Sequence, residues 1–395
     1  MEYIRFSELY KNPSNNGLTR PSAVRGEGFK MVNMGELFNN DILSDMDMER
    51  VKMSEKEKEK YTLFDNDLLF ARQSLVAAGA GKCSIVKSFS ETTTFESHLI
   101  RVTLNSSKCN PWYYFYLFKL PNNPIKSIVN QCAQAGIRAK ELEKIKVPFP
   151  KIEMQNRIAD ILSKYDELIE VNHQRIKKLE QTLEHQFKSS YASIIRRKKF
   201  RLVRIREIAS FVRGLSYSSE EIECEEGINL INLKNIQGYG GFRRDGTKQY
   251  NGDYKSPQIV TESDLIMGVT DMTQDRRTVG SVALVPHLEN TSVISADLIK
   301  IESDISNIFL YCLFRFGNVS KYIAQFANGA NVLHLKPQAI GNIKIQLPDN
   351  DYINLFSSFA EPIVEQIELL NQKNDNLIKQ RDLLLPRLMS GKLEI

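Results

Sequence analysis

Asn110-Pro111-Trp112-Tyr113 is the stretch of this sequence that comes nearest to a reaction centre. An asparagine amide and a prolyl carbonyl beside an aromatic ring can hold an exocyclic amino group, as in the Asn-Pro-Pro-aromatic motif of amino-methyltransferases. Here Trp112 stands where the second proline would be, and no glycine-rich loop follows a strand to bind a methyl donor. Helix capping accounts for the same residues, with Asn110 as N-cap and Pro111 at the first helical position. Farther on, Asn307-Ile308-Phe309 keeps only the asparagine. A nuclease would need clustered carboxylates with a lysine, which Pro348-Asp349 lacks, and no Walker loop is present for ATP. Cys83, Cys109, Cys132, Cys224 and Cys312 are scattered without a CxxC pair, and the five histidines form no HxH or HxxxH. Neither disulfides nor zinc are expected, and the cysteine pattern suits a reducing compartment. No catalytic residue, bound cofactor or metal ligand is predicted.

The chemistry that remains is recognition. Arginine and lysine match guanine, asparagine and glutamine match adenine, and basic or hydroxyl groups match phosphate. Polar loops between apolar stretches carry these types. In the second half they are Thr270 to Thr278, with Thr273, Gln274, Arg276 and Arg277, and Gly238 to Arg244, with Arg243 and Arg244. In the first half they are Arg20 to Lys30, with Arg20, Arg25 and Lys30, then Arg72-Gln73-Ser74, and the Gln134 to Lys140 turn with Arg138 and Lys140. A matching turn runs from Asn328 through Asn331 to Lys336. Each residue alone reads more readily as a solvated surface group than as a contact, and the prediction attaches to the loops as groups.

Net charge is +5 with 42% hydrophobic and 26% charged residues, the balance of a globular protein that leaves part of any phosphate contact to a partner. No apolar run reaches membrane-span length, and Met1 to Arg5 has neither an apolar core nor a cleavage site, so no secretory leader is expected. From Arg196 to Arg206 there are seven basic residues and no acid. This segment reads either as a solvated linker, which its position favours, or as a strip facing phosphates. Ser54 to Lys60 alternates in sign and reads as a solvated face.

The elements that must position these loops are duplicated. Laid against itself at a shift of about 198 residues, the sequence aligns in order at many places. Val32-Asn33-Met34 falls over Ile231-Asn232-Leu233, Asp67-Leu68-Leu69 over Asp264-Leu265-Ile266, His98 to Val102 over Asp297 to Ile301, and Trp112 to Lys119 over Phe309 to Phe316. Short apolar runs broken by Gly, Asn and Pro, such as Gly227 to Leu233 and Val279 to Pro286, read as strands and turns. One short helix per repeat is predicted, over 111–119 and 307–316.

Each repeat then ends in a proline and a long heptad pattern. The first seam is Ile158, Leu162, Tyr165, Ile169, Asn172, Ile176, Leu179 and Leu183; the second includes Ile363, Ile367, Leu370, Asn374 and Leu377. So narrow a stripe, kept for about four heptads, favours a mutual coiled coil over packing on separate domains, with Asn172 and Asn374 setting register. The fold class is therefore α/β (α+β): two tandem mixed domains, 1–150 and 198–348, each followed by a long helix, 151–197 and 349–395.

Together these features resemble the specificity subunit of type I restriction-modification enzymes. The likeness covers the whole chain and rests on Tyr61 to Arg72, on Ile145-Lys146-Val147-Pro148-Phe149-Pro150 with Ile152 to Ile158, and on Leu383 to Gly391. The chain departs from the family's usual Leu-Pro-Pro and Glu-Gln pair, with Pro148-Phe149-Pro150 and Gln155-Asn156 in one copy and Pro348-Asp349 in the other. The resemblance implies target-recognition domains that each read half of a split target on double-stranded DNA, and helices that pack antiparallel as a ruler. It implies two methyltransferase subunits as partners, using S-adenosylmethionine. Restriction subunits, using ATP and Mg, join them in the complete endonuclease, in a bacterial or archaeal cytoplasm. The first seam spans ~39 Å, near the ~34–36 Å of one duplex turn. The competing readings are a stand-alone methyltransferase or nuclease with an unrecognised site, and a coiled-coil adaptor that never touches DNA.

Overall fold

In the computed structural model, residues 2–74, 79–130, 135–222, 226–272, 275–329 and 332–393 are described. They form two compact units, Met1–Glu170 with Asp375–Ile395, and Val171–Asn374. Each unit holds one mixed α/β body and a segment of both long helices.

In the first unit a five-stranded sheet runs in the order Asn15–Asn16, Leu99–Val102, Leu68–Ala71, Cys83–Ser88, Ile42–Ser44. The central strand Leu68–Ala71 is an unbroken apolar run because both its faces are covered. Leu68 and Phe70 enter the core under the helix Pro111–Lys119, while Leu69 and Ala71 enter a second core beneath Arg25–Val32. A three-stranded sheet pairs Arg25–Val32 in parallel with Thr93–Phe95 and antiparallel with Arg50–Val51. Tyr3–Arg5 pairs with Lys146–Pro148 to close the unit.

The second unit repeats this plan. Ser210–Arg213, Leu298–Glu302, Leu265–Gly268 and Val282–Leu284 form the main sheet. Ile228–Ile231 pairs in parallel with Ser292–Ile294 and antiparallel with Lys248–Tyr250. Phe200–Arg204 and Lys344–Pro348 close the unit, and the short helix is Asn307–Phe316. The turn entering each central strand is copied to the level of single bonds. Phe64 N donates to Asp67 Oδ2 at 2.9 Å and Thr261 N to Asp264 Oδ2 at 2.8 Å. The residues just before, Asn66 and Ser263, sit at φ 69° and 68°.

Some elements are shorter than their apolar runs suggest. The strand from Ile228 stops at Ile231 because Asn232 caps the turn Leu233–Asn235. In 279–286 only Val282–Leu284 is strand, since Gly280 turns the chain at φ 78°. The segment 196–206 is no linker: the first long helix runs to Arg196, Lys198 turns at φ 56°, and the strand Phe200–Arg204 follows.

The long helices are Ile152–Arg196 and Asn350–Met389. In the first unit Ile158 and Leu162 share a core with Leu385 and Leu388; in the second, Leu183 and Phe187 share one with Phe356 and Ala360. Within each unit partner numbers fall on one helix as they rise on the other, so the segments run antiparallel. Asn172 Nδ2 donates to Asn374 Oδ1 at 2.8 Å in the second unit, and Arg381 pairs with Asp166 in the first. Ile169 and Leu370 are buried, and Tyr165, Ile176, Leu179, Ile363, Ile367 and Leu377 are half-buried, so every seam position is at least partly covered.

Candidate nucleic-acid interface

Each central strand leads into a loop pinned at one edge of its unit. In the first unit Arg72 follows strand Leu68–Ala71, and its N–H donates to the His98 carbonyl at 2.8 Å while its carbonyl accepts from Ile137 N at 2.9 Å. Gln73–Ser74 then pairs with Ala135–Gly136, and the Gln73 amide oxygen lies 3.0 Å from His98 Nδ1. These bonds join two loops far apart in sequence. Arg72, Gln73 and Ser74 come onto one edge with Arg138, which precedes the helix Ala139–Leu142, and Lys140 within it. Arg138 and Lys140 are exposed; Arg72, Gln73 and Ser74 are half-buried.

The second unit has the same edge with different side chains. Val269 N donates to the Asp297 carbonyl at 2.8 Å, the Val269 carbonyl accepts from Leu335 N at 2.8 Å, and Thr270–Asp271 pairs with Leu333–His334. Thr270 Oγ1 donates to Asp297 Oδ1 at 2.9 Å. Asp271 is buried and turned inward, its Oδ2 accepting from the Thr278 and Val279 amides at 2.7 and 3.2 Å. That carboxylate ties the loop back on itself and leaves Arg276, at φ 53°, and Arg277 exposed. Arg277 is held by Asp275 at 2.6 Å with both side chains 59% exposed, a pair that solvent and an arriving phosphate can open. Lys336 is exposed and precedes the helix Pro337–Asn342. Thr273, Gln274 and Asn331 lie outside the described residues, as does Gln134.

The Gly238 to Arg244 segment joins the same loop, because Tyr239 N donates to the Arg277 carbonyl at 2.8 Å. Tyr239 is well exposed there, as is Met272. Arg243 pairs with Asp245 at 2.6 Å, and its hydrogen bonds hold that carboxyl below the usual range. Arg244 is engaged by Glu368 of the second long helix. The remaining cations lie on other elements of the first unit and are also compensated. Arg20 pairs with Glu57 and Arg25 with Glu49, each at 2.6 Å, and Lys30 sits 3.3 Å from both Asp45 and Glu91. The Glu57 carboxyl is pulled down to about 2, first by the Ser54 amide and then by Arg20.

His98, Asp297 and His334 belong to these edges and were not singled out by residue type. For His98 and Asp297 the signal was the repeat itself, since they align immediately before the matching strands Leu99–Val102 and Leu298–Glu302; His334 carried none. Asn110 acts as a cap, its Oδ1 accepting from Trp112 N at 2.9 Å while its Nδ2 donates to Asn156 Oδ1. In the second copy Ser306, not Asn307, is the cap, and Asn307 Nδ2 instead donates to the Ser263 carbonyl at 3.0 Å. Among the described residues no His, Cys, Asp and Glu group could hold a metal ion, and no helix is long and apolar enough to cross a membrane.

Residues 8–181 match the family model of the type I restriction modification DNA specificity domain. The chain is 22% identical to the type I restriction enzyme MjaVIII specificity subunit of Methanocaldococcus jannaschii over 322 residues, 76% of this chain and 74% of that one. It is 23% identical over 358 residues to the putative MjaX specificity subunit of the same organism, covering 85% and 80%. The crystal structure of the S subunit of a type I restriction-modification system from M. genitalium has the same fold, with TM-score 0.56 at 15% identity over 98% of this chain and 95% of that one.

Proposed function

We propose that this chain is a specificity subunit of a type I restriction-modification system and reads a two-part duplex DNA target with one domain per half-site. The observation that carries this reading is the repeated edge. The backbone bonds around Arg72 and Val269 are the same, while the side chains they present differ. A duplicated scaffold with diverged edges suits two unlike half-sequences.

In the first unit Arg72, Gln73, Ser74, Arg138 and Lys140 supply donors for guanine, adenine and phosphate. In the second, Arg276, Arg277, Lys336 and the adjoining Arg243 do so, with Thr273, Gln274 and Asn331 on the same loops by sequence. The long helices act as the spacer between the half-sites and, with the domains, as the scaffold for two methyltransferase subunits. Those partners bring S-adenosylmethionine, and restriction subunits bring ATP and Mg; this chain supplies the address and no chemistry. The complex works in the cytoplasm.

The test is selection of binding sites from a random duplex library by the chain assembled with its methyltransferase. The expected result is two short motifs at a fixed separation; a single contiguous motif, or none, overturns the reading. Removing one heptad from each long helix shortens the rod by about 10 Å. The preferred spacer should then shrink by about three base pairs, and an unchanged spacer would refute the ruler.

A further inference from the structure

The basic run Arg196–Arg206 takes no part in the reading edge, yet all seven of its cations are exposed. In the strand Phe200–Arg204, Val203 is buried against the core and Ile205 follows it inward, while Arg201, Leu202 and Arg204 face out. Arg204 approaches Glu207 at 3.7 Å, and Arg206 donates to Asn342 Oδ1 at 3.0 Å. Among the described residues Arg196, Arg197, Lys198, Lys199 and Arg201 form no ion pair. Arg243, Arg244, Arg277 and Arg315 of the same unit each have a carboxylate partner.

The fold does not demand this charge. Arg204 pairs with Lys344 as Arg5 pairs with Lys146, which sets Arg201 opposite Glu2 and Arg206 opposite Ser7 in the first unit's copy of the same strand pair. Crowded like charges destabilise the folded state by self-repulsion unless an anion compensates them. The strip is also tied to the reading edge. The helix Pro337–Asn342 begins beside Lys336 on that edge and ends at Asn342, the residue Arg206 holds. Six residues of helix are about 9 Å, roughly three phosphates along one strand of duplex DNA.

We propose that Arg196–Arg206 is a sequence-independent phosphate-binding surface, gripping duplex DNA that runs on beyond the half-site read by the second unit. The inference rests on the specificity-subunit reading. It makes the second unit the anchor for flanking DNA, a role the first unit's Glu2 and Ser7 do not support.

The experiment measures binding of the chain, assembled with its methyltransferase, to a labelled random-sequence 40-base-pair duplex across a salt series. In the combined variant Arg196→Gln, Arg197→Gln, Lys199→Gln and Arg201→Gln, the slope of log affinity against log salt should fall by about 0.9 per lost contact, about 3.6 in all. The combined variant Arg196→Lys, Arg197→Lys and Arg201→Lys keeps the charge and should keep the slope, which separates charge from misfolding. An unchanged slope in the glutamine variant overturns the proposal, and so does an unchanged slope accompanied by loss of assembly, which would assign the strip to an acidic protein face. Site selection with the wild-type complex keeps the two readings apart. A split motif with an unchanged variant slope sinks the strip alone, whereas no motif sinks the specificity reading.

Discussion

At the edge of the first unit the strand end carries Arg72, Gln73 and Ser74; at the same bonds in the second it carries Val269, Thr270 and Asp271. The first unit therefore offers its donors directly from the paired strand. The second folds an acid inward at that point, and the Asp271 carboxylate ties back the loop from which Arg276 and Arg277 stand exposed. The backbone bonds at this edge are the same in the two units, while the side chains they present differ. The long helices show the same division. Their contact with each other is made in the first unit by the charged pair Arg381–Asp166, with Tyr116 also donating to Asp166, and in the second by the amide pair Asn172–Asn374.

The helix pairs offer the sharpest way to break that comparison. Arg381→Met leaves Asp166 buried with only Tyr116 as partner, and breaking a buried ion pair from one side costs about 3–5 kcal/mol. The double variant Asn172→Leu with Asn374→Leu removes both partners together, so no buried group loses its bond, and Asn374 Nδ2 has no hydrogen-bond partner now. Its stability should stay level or rise. Denaturant melts of the two variants decide this; equal losses would mean the two contacts are not chemically distinct. A smaller contrast lies in the matched turns. Asp67 is buried and accepts from both the Phe64 amide and Thr103, whereas Asp264 is half-buried and accepts from Thr261 alone. Asp67→Ala should cost about 2 kcal/mol and Asp264→Ala about 1, and the reverse order would show that burial does not set the value of this turn.

How far the sequence foretold this architecture depends on the range of the interaction. Helix Pro111–Lys119 was legible at both ends because its signals are local: an asparagine cap, a proline at the first position and an apolar run. The heptad seam was legible because its period is local, even though its partner lies on another helix. Strand pairing was not. Nothing in Gln73-Ser74 announces Ala135-Gly136, and only the three-dimensional structure brings these loops together. Charge compensation was hidden for the same reason, since Arg25 and Lys30 look free until Glu49, Asp45 and Glu91 arrive from other elements. The strand at Phe200 was masked because Arg201 has the same parity as the buried Val203 while the apolar Leu202 stands exposed, which spoils the alternation that would have marked it.

The smallest expected effect bears most directly on recognition. Arg277→Ala removes an exposed guanidinium whose present partner is the equally exposed Asp275, so folding stability should change by less than about 0.5 kcal/mol. If Arg277 reads a base, discrimination at one position of one half-site should fall by about 1–3 kcal/mol, with the other half-site still selected. If it only touches phosphate, affinity drops alike for every sequence and the salt slope falls by about one. Arg72→Ala makes the reciprocal test in the first unit and should relax the opposite half-site. Should both variants relax the same positions, the two edges would not be reading separate halves, and the divergence between Arg72-Gln73-Ser74 and Val269-Thr270-Asp271 would need another cause.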